Sequence, residues 1–191
     1  MAGNYYRIED IERMGFVASL VPAFSTVLDI GAYDDTFKKI LEGHGHKVVA
    51  LDLKPKGGEV VQGDVTRLPF ADDSFDCVTA MEVLEHLTNR QLLAAIPQIK
   101  RVSRDTVIIS VPDDEVPLGE GHLQHFTGVA LRVMFGGYDA ELHKVGKRQK
   151  YHGLQKWLAK IDTRLLHLVS RVWGIRRREG ATWLVARFTK C

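Results

Sequence analysis

Short apolar runs alternate with stretches of helical periodicity along most of the chain. Apolar runs bounded by turn-forming residues predict strands, and apolar residues that recur every three or four positions predict helices. The predicted strands are Thr26–Ile30, Lys47–Leu51, Glu59–Gln62, Phe75–Met81, Thr106–Val111, 138–146 and Ala181–Phe188. Because predicted strands and helices alternate, we expect an α/β fold in which helices cover both faces of a mostly parallel sheet.

Four helices are predicted between these strands and before the first of them. They cover residues 5–21, about 35–44, Thr88–Val102 and Thr127–Phe135. Thr88 and Thr127 are the predicted N-caps, because a threonine hydroxyl can accept a hydrogen bond from a free amide of the first helical turn. Pro97 has no backbone N–H, so we expect a flaw in the third helix at that position.

The first two predicted strands end in the layout of a β-α-β unit that binds a nucleoside. Gly31 follows the apolar run Val27–Ile30 and lets the backbone approach a ligand closely. Asp52 ends the second run, about 20 residues further on, and can accept hydrogen bonds from ribose hydroxyls. The dinucleotide fingerprint G-x-G-x-x-G is absent, so a cofactor with a ribose but no phosphates fits better. S-adenosylmethionine is such a cofactor.

A predicted helical insertion, residues 149–180, separates the last two strands. Its apolar stripe at helical spacing comprises Leu154, Trp157, Leu158, Ile161, Leu165, Leu168, Val169 and Val172. Its opposite face is basic, with Lys156, Lys160, Arg164 and Arg171, followed by Arg176–Arg178. We expect an interface here, because so large a stripe is too apolar for water. It packs on its own domain, on a second copy in a homodimer, or on an anionic membrane surface.

The composition is that of a globular domain with a marked division of charge. Hydrophobic residues make up 45% and charged residues 26% of the 191, and two cysteines argue against a disulfide framework. We therefore expect a cytoplasmic location. Residues 1–143 carry 13 Lys+Arg and 22 Asp+Glu, whereas residues 144–191 carry 13 and 2. The basic quarter is either a solvated face or a docking surface for RNA or anionic lipid, the last making the protein peripheral to a membrane.

Four sequence pieces follow one another between residues 28 and 87. They are Leu28-Asp29-Ile30-Gly31, then Leu51-Asp52, then Gly63-Asp64-Val65 with Leu68-Pro69-Phe70 and Asp72-Asp73-Ser74-Phe75-Asp76, and finally Glu82-Val83-Leu84-Glu85-His86-Leu87. In this order and spacing they resemble the class I S-adenosylmethionine-dependent methyltransferases, the small type 11 group in particular. The resemblance implies one methyltransferase domain over 1–191. Its Rossmann-like, seven-stranded, mostly parallel sheet would have an antiparallel last strand between the fifth and the sixth.

The same resemblance implies where S-adenosylmethionine binds. The cofactor-binding residues that it predicts are Asp29, Gly31, Tyr33, Asp52, Leu53, Asp64, Val65, Met81 and Glu82. Gly31 would lie under the methionine part, and Asp52 would bind both ribose hydroxyls. Asp64 and the Val65 amide would meet the adenine. Met81 and Glu82 would lie beside the sulfonium.

The loop after the first strand departs from the family pattern D-x-G-x-G-x-G. Tyr33 and Asp35 occupy the second and third glycine positions. Where the backbone needs a positive φ, such side chains are costly. Asp34 and Asp35 also add negative charge near the cofactor carboxylate. Because Gly31 is kept, we interpret this as a changed loop, and a non-catalytic methyltransferase-like scaffold is one alternative function.

Candidates for acting on the methyl acceptor are Glu85, His86 and His125, with His122 as a fourth. His86 opens the helix after the fourth strand. The other two histidines lie in Gly121–Thr127, which is similar to the family segment His-Leu-x-x-Phe-Thr. Each could remove a proton from an acceptor, although a lone histidine is more often structural.

A metal-dependent variant uses some of the same residues. Glu82-x-x-Glu85-His86 with a later histidine resembles the Mg²⁺ or Mn²⁺ site of methyltransferases that modify the 2′-hydroxyl at the 3′ end of a small RNA. His125 is the best sequence candidate for the second imidazole. The Thr-Pro-Asn and Phe-Glu-Trp signals of those enzymes are missing, so we expect no metal.

The sequence therefore predicts an S-adenosylmethionine-dependent enzyme with a small-molecule acceptor, such as a sugar or a lipid-linked precursor. The alternatives are a metal-dependent RNA 2′-O-methyltransferase and the non-catalytic scaffold.

Overall fold

The computed structural model describes residues 8–113, 119, 121–147 and 181–191 of the chain. Its strands are β1 (Thr26–Ile30), β2 (Lys47–Asp52), β3 (Val60–Gln62), β4 (Phe75–Met81), β5 (Ser103–Pro112), β6 (Tyr138–Lys147) and β7 (Ala181–Lys190). Its helices are α1 (Ile8–Leu20), α2 (Thr36–Gly43), α3 (Asn89–Val102) and α4 (Gly128–Met134), with short 3₁₀ turns at Val65–Arg67 and Leu84–His86. Every predicted strand is present, with small differences at its ends.

The seven strands form one sheet in the order β3-β2-β1-β4-β5-β7-β6. β1 pairs in parallel with β2 and with β4, and the parallel pairing continues from β2 to β3 and from β4 to β5. β7 lies between β5 and β6 and is antiparallel to both. The expected Rossmann-like sheet with an antiparallel last strand is thereby confirmed.

The carboxyl ends of β1, β2 and β4 meet at one edge of the sheet. In the register of the sheet, Ile30 lies beside Leu51 on one side and beside Ala80 on the other. The chain moves outward from β1 to β3 and then returns to β4 on the opposite side of β1. Such a reversal opens a crevice beyond the strand ends. Residues that directly follow these three strands therefore share the crevice.

Two apolar layers cover the two faces of the sheet. Alternation along β1 divides the layers, because Val27 and Leu28 point to opposite faces. On one face α3 and α4 contribute the buried residues Leu92, Ala95, Ile99, Leu131 and Phe135, among others. On the other face α1 and α2 contribute Met14, Val17, Phe37 and Leu41. Helices on both faces are as predicted.

Local capping fixes where α3 and α4 begin. The Thr88 side chain accepts a hydrogen bond from the Gln91 amide, and the Gln91 side chain accepts one from the Thr88 amide, which completes a capping box. Thr127 caps α4 by accepting from the amide of Ala130. Both predicted caps are confirmed. Pro97 lies inside α3, and the flaw expected there does not end the helix.

Two strands are longer than predicted, β2 at its end and β5 at its start. β2 extends to Asp52, because this residue still pairs with Gln62 of β3. β5 begins at Ser103, directly after α3, because Ser103 pairs with Phe75 ahead of an irregularity in register. The pattern of apolar residues could not show either pairing, since both lie at polar positions.

The insertion predicted at 149–180 lies outside the described residues, as do residues 5–7 of the first predicted helix. Within the described parts of the chain, no helix combines the length and the apolar character needed to cross a membrane.

Candidate cofactor and acceptor site

A cavity of about 690 Å³ opens beside the ends of β1, β2 and β4. All nine residues predicted to bind the cofactor line it: Asp29, Gly31, Tyr33, Asp52, Leu53, Asp64, Val65, Met81 and Glu82. Of the four candidates for acting on the acceptor, His86 lines the cavity, whereas Glu85, His122 and His125 do not. The cavity therefore brings together all the predicted cofactor-binding residues and one residue predicted to act on the acceptor.

Gly31 marks the turn by which the first loop leaves β1. Its φ of +75° is left-handed, and a Cβ added there would lie 2.3 Å from Cγ2 of Val83. Both the conformation and the space thus require glycine. The amides of Gly31 and Ala32 donate to the same acceptor, the carbonyl oxygen of Leu51, at 2.8 and 3.1 Å. These two bonds hold the loop against the end of β2.

The two substituted glycine positions behave differently. Tyr33 has a φ of +56°, so the backbone strain expected there is present. Its amide donates to Oδ2 of Asp52 at 2.9 Å, which helps to hold this conformation. Asp35 has a φ of −90°, so no such strain arises. Its carboxylate pairs with Lys39 at 2.9 Å and accepts from the amide of Glu59 at 3.4 Å.

Asp52 presents a fixed carboxylate at the end of β2. Oδ2 accepts from the amide of Tyr33 at 2.9 Å, and Oδ1 accepts from the amide of Lys54 at 2.6 Å. A carboxylate oxygen can accept more than one hydrogen bond. Each oxygen therefore keeps capacity for one ribose hydroxyl, and the backbone bonds orient both in advance.

Asp64 is tied to the backbone at the next position around the cavity. Its Oδ1 accepts from the amide and the hydroxyl of Thr66, both at 2.8 Å, and so caps the turn Val65–Arg67. Oδ2 takes no part in this cap. The amide of Gly63 donates to the carbonyl of Asp52 at 2.9 Å. This bond joins the predicted adenine-binding segment to the predicted ribose-binding residue.

Asp29 is almost completely buried beneath the first loop. Thr79 Oγ1 donates to its Oδ1 at 2.8 Å, while Oδ2 has no hydrogen-bond partner among the described residues. Burial raises the pKa of this carboxyl from 3.8 to about 7, against the opposing effect of the Thr79 bond and with a further contribution from Asp52. Asp29 is thus able to exchange a proton near neutral pH.

Glu82 lies just beyond β4 with a φ of +55°. Its Oε1 is 3.0 Å from a guanidinium nitrogen of Arg13 and accepts from Ser110 Oγ at 3.3 Å. Burial raises the pKa of Glu82, and the charge of Arg13 and a hydrogen bond from Trp183 oppose that rise. The cavity thereby holds an acid next to a buried cation.

Glu85 has a fully buried side chain. Neither carboxyl oxygen has a hydrogen-bond partner among the described residues. Burial raises its pKa from 4.5 to about 8, and the negative charge of Glu82 adds to the effect. The carboxyl of Glu85 therefore favours its neutral form at pH 7 in the metal-free protein.

His86 and His122 form a second group at the edge of the cavity. Nδ1 of His86 lies 3.0 Å from the carbonyl oxygen of Gly121, and the two imidazole rings meet edge to face with centroids 4.8 Å apart. The ligand atoms of Glu85, His86 and His122 all lie within 4.8 Å of one another. His125 is exposed and outside this group. The expected choice of His125 as the second imidazole is corrected to His122.

Comparison with known proteins agrees with this geometry. The model of a family described as a methyltransferase domain matches residues 28–110. The 18S rRNA (guanine-N(7))-methyltransferase bud23 of Schizosaccharomyces pombe is 28% identical over an alignment of 150 residues, and the match covers 68% of this chain and 56% of that protein. The chain is thus similar, over residues 28–110, to a methyltransferase domain. It spans little more than half the length of this curated relative.

Solved structures show the same fold. A methyltransferase in complex with the Haloferax volcanii Trm112 methyltransferase activator superposes with a TM-score of 0.66 at 17% identity, over 95% of this chain and 91% of its own. The Burkholderia thailandensis 1,6-didemethyltoxoflavin-N1-methyltransferase, with bound S-adenosylhomocysteine, gives a TM-score of 0.64 at 18% identity, over 93% and 76%. At these identities the likeness concerns the fold.

The family match supports an enzyme that uses S-adenosylmethionine as its cofactor. The cavity fits this molecule on three counts. Gly31 leaves room for a close backbone approach, Asp52 is oriented to accept from vicinal hydroxyls, and Glu82 offers a negative charge to a sulfonium. The residues that bind each part of the cofactor remain predictions from sequence, and their placement around one cavity is consistent with all of them.

Several lining residues of the methyltransferase were not predicted. They are Arg13, Met14, Phe37, Val83, Leu87 and Gln91, among others. Val83 and Leu87 belong to the quoted motif but were not assigned a role. Arg13 lies in α1, ahead of the segment that resembles the family, directly after several acidic residues that would suit a solvated helix. No sequence signal distinguishes it from a surface cation.

Changing Asp52 to alanine tests the ribose assignment. We expect the dissociation constant for S-adenosylhomocysteine to rise about 10- to 100-fold, because hydrogen bonds to a charged acceptor are each worth ~1.5–3 kcal/mol. Isothermal titration calorimetry measures it, and Asp139→Ala on the exposed part of β6 is the matched control. An unchanged constant for Asp52→Ala would mean that the ribose lies elsewhere.

The raised pKa of Asp29 predicts a pH dependence of stability. Its folded pKa of about 7 exceeds the unfolded value of 3.8, so the folded state holds the proton more tightly. Stability is then lost as the pH rises from about 4 to about 7, by up to ~1.4 kcal/mol per pH unit. Chemical denaturation of the ligand-free protein should show a shallower decline for Asp29→Asn over this range. A decline as steep as in the wild type would contradict the assignment. Glu85, unchanged in this variant, contributes a decline of the same sign that extends to about pH 8.

Proposed function

We propose that the methyltransferase methylates a hydroxyl group of a small-molecule acceptor, such as a sugar or a lipid-linked precursor, with His86 as the proton acceptor. The observation that carries the proposal is the position of His86. It lines the cavity while its Nδ1 faces the carbonyl oxygen of Gly121 at 3.0 Å. In a neutral imidazole this contact places the proton on Nδ1, so that Nε2 is a free base.

The chemistry required of the protein is modest. Bound S-adenosylmethionine supplies a methyl carbon that is already activated by the sulfonium. The chain must orient the two reactants and take the proton that a hydroxyl loses as its oxygen is methylated. Nε2 of His86 would receive that proton. Glu82, held beside Arg13, would keep a negative charge near the sulfonium until the transfer removes the positive charge.

The charges around the cavity support a small acceptor over a nucleic acid. Four lining residues are acidic: Asp29, Asp52, Asp64 and Glu82. The first 143 residues together carry nine more acids than bases. A polyanion approaching this part of the protein would meet repulsion, whereas a neutral or cationic small molecule would not.

The acceptor class can be tested by following the methyl group. Purified enzyme is incubated with methyl-labelled S-adenosylmethionine and a cell extract that is then separated into low-molecular-weight, lipid and RNA fractions. We expect label in the first or second fraction. His86→Ala should lower the rate of labelling about 10²- to 10⁴-fold and leave the affinity for S-adenosylhomocysteine nearly unchanged. Label confined to RNA, or an affinity loss equal to the rate loss, would contradict the proposal.

A second candidate function is methylation of RNA. Two observations favour it: the similarity to an rRNA methyltransferase and the cluster of Glu85, His86 and His122. Carboxylate and imidazole groups at this spacing could hold Mn²⁺ or Mg²⁺ and activate a ribose hydroxyl. The two unpartnered oxygens of Glu85 fit a cation.

His122 fits a metal less well. Its Nδ1 accepts a hydrogen bond from the amide of Gly119 at 3.3 Å, so the proton of the neutral ring lies on Nε2. Ligation through Nε2 would require this long bond to be given up. The residues that would hold the ion are therefore Glu85 and His86, with His122 after a change of tautomer.

Metal binding separates the two candidates. If the protein is the RNA enzyme, we expect it to bind Mn²⁺ with micromolar affinity and Glu85→Gln to abolish this binding. The paramagnetic resonance signal of free Mn²⁺ measures how much of the ion is bound. Activity should be lost with a chelator and return with Mn²⁺. Full activity in a chelator, with no Mn²⁺ bound by the wild type, would remove the metal-dependent candidate.

The remaining partner and location predictions stay proposals. Most of the basic quarter, with its suggested docking to RNA or anionic lipid and its homodimer contact, lies outside the described residues. A cytoplasmic or peripheral membrane location is likewise proposed. The Haloferax volcanii structure, which contains a methyltransferase activator, suggests a protein partner as a further proposal. Light scattering and flotation with anionic vesicles test the homodimer and the membrane surface.

A further inference from the structure

The helices α3 and α4 present exposed apolar side chains on the side that points away from the sheet. The two helices lie next to each other, and hydrogen bonds join them near both ends. Gln124, ahead of α4, donates to the carbonyl of Leu87, ahead of α3, at 2.6 Å, and Lys100 donates to the carbonyl of Gly136 at 2.9 Å. We call their outward residues the α3/α4 face, which consists of Arg90, Leu93, Pro97, Val129, Arg132 and Val133.

Three side chains of this face are unusually exposed for large apolar groups. The exposed fraction is 80% for Leu93, 72% for Val129 and 76% for Val133, and only Phe24 is as exposed among the other large apolar side chains of the described residues. A helix that covers a sheet ordinarily places polar residues outward. Val129 and Val133 are four residues apart on one ridge of α4, as are Leu93 and Pro97 on α3. Apolar groups spaced in this way on adjoining helices indicate an interaction surface.

The charges of these two helices are all of one sign. Neither α3 nor α4 contains an Asp or Glu, although residues 1–143 carry 22 acids and 13 bases. The cations of the helices are Arg90, Lys100, Arg101 and Arg132. Lys100 and Arg101 are used within the fold, where Arg101 pairs with Asp72 at 2.8 Å. Arg90 and Arg132 are exposed and pair with no acid among the described residues.

Positive charge beside exposed aliphatic groups favours an anionic lipid surface as the partner. A second copy in a symmetric contact would bring the same cations together. The basic quarter of the chain would also be repelled, because residues 144–191 carry 13 Lys+Arg and only 2 Asp+Glu. RNA is bound by several cations and by aromatic rings that stack on bases, and this face has two cations and no aromatic residue. A bilayer interface accepts aliphatic side chains while its anionic lipids attract arginine.

We propose that the α3/α4 face docks the protein on an anionic lipid bilayer. Its aliphatic side chains would enter the headgroup region, and Arg90 and Arg132 would contact lipid phosphates. The face adjoins the cavity, because Gln91 on the first turn of α3 lines it. An acceptor with a lipid anchor could then reach the cavity from the bilayer. The inference goes beyond the proposed function, because it concerns a surface outside the cavity and holds for any acceptor.

Vesicle flotation of the full chain tests the proposal. We expect the wild type to float with vesicles of phosphatidylcholine and phosphatidylglycerol, and not with vesicles of phosphatidylcholine alone. Leu93→Asn together with Val133→Asn should weaken this binding about 10- to 100-fold at unchanged charge, because aliphatic groups leave the interface. Arg90→Gln together with Arg132→Gln should weaken it at least about tenfold. All four side chains are exposed, so the circular dichroism of the variants should match that of the wild type.

A matched control and a fluorescent label locate the contact. Phe24→Asn together with Val61→Asn removes exposed apolar groups outside α3 and α4 and should float like the wild type. A polarity-sensitive fluorophore is attached at Val133→Cys or, on α1, at Glu12→Cys, both in a Cys191→Ser background because Cys191 is exposed. With anionic vesicles, only the label on α4 should shift to the blue and be quenched by spin-labelled lipid.

The remaining outcomes overturn the proposal. Unchanged flotation of the Leu93→Asn, Val133→Asn variant would place the contact elsewhere, such as in the basic quarter, and no flotation with either vesicle would exclude a membrane surface. Blue-shifted emission at Val133→Cys without vesicles would mean that the chain itself or a second copy covers the face. Binding of RNA but not vesicles, lost with Arg90→Gln and Arg132→Gln, would make it an RNA site. These assays measure no methylation, so failure of the proposed function would not affect them.

Discussion

One carbonyl group organises the cofactor site. The oxygen of Leu51 accepts from the amides of both Gly31 and Ala32, and so joins the loop after β1 to the end of β2. From this junction Tyr33 is brought to Asp52, and its left-handed backbone is held there by the 2.9 Å bond. Parallel pairing of β1 with both β2 and β4 sets the remaining wall. Loss of this junction would separate Asp52, the predicted ribose-binding residue, from Gly31, which is predicted to lie under the methionine part.

Three buried carboxyl groups in and beside the cavity differ in how far hydrogen bonds and ion pairs offset the cost of their burial. The carboxyl of Asp29 accepts from one donor, Thr79, and the carboxyl of Glu82 contacts Arg13, Ser110 and Trp183. The carboxyl of Glu85 has no hydrogen-bond partner among the described residues. Burial is the first cause of the raised pKa in all three. The carboxyl groups that line the cavity can attract a positively charged sulfonium even when one of them, such as Asp29, is protonated. Their burial also links cofactor binding to protonation, because a bound cation favours the ionised forms.

Most of the fold and many of the residues around the cavity could be predicted from the sequence. The residues that were not predicted depend on contacts between distant segments. β1 and β4 were predicted residue for residue, because turn residues bound each apolar run. The nine residues proposed to bind the cofactor line one cavity, because motif spacing fixes which side chains follow parallel strands. Arg13 was missed because its burial depends on α1 packing across the sheet to Trp183, which no local pattern records. His122 contacts His86, and the Leu123 amide beside it donates to the Glu85 carbonyl at 2.7 Å. These contacts join distant segments, so no local pattern shows which histidine meets His86.

A crystal structure of the enzyme with S-adenosylhomocysteine tests the account most directly. We expect the ribose hydroxyls within hydrogen-bond distance of Asp52 and the adenine against Asp64 and Val65. The methionine part should lie over Gly31, with the sulfur beside Glu82 and facing His86. A ligand bound in the reverse direction, with its adenine beside Glu82, would contradict the account, as would a ligand outside the cavity at the ends of β1, β2 and β4.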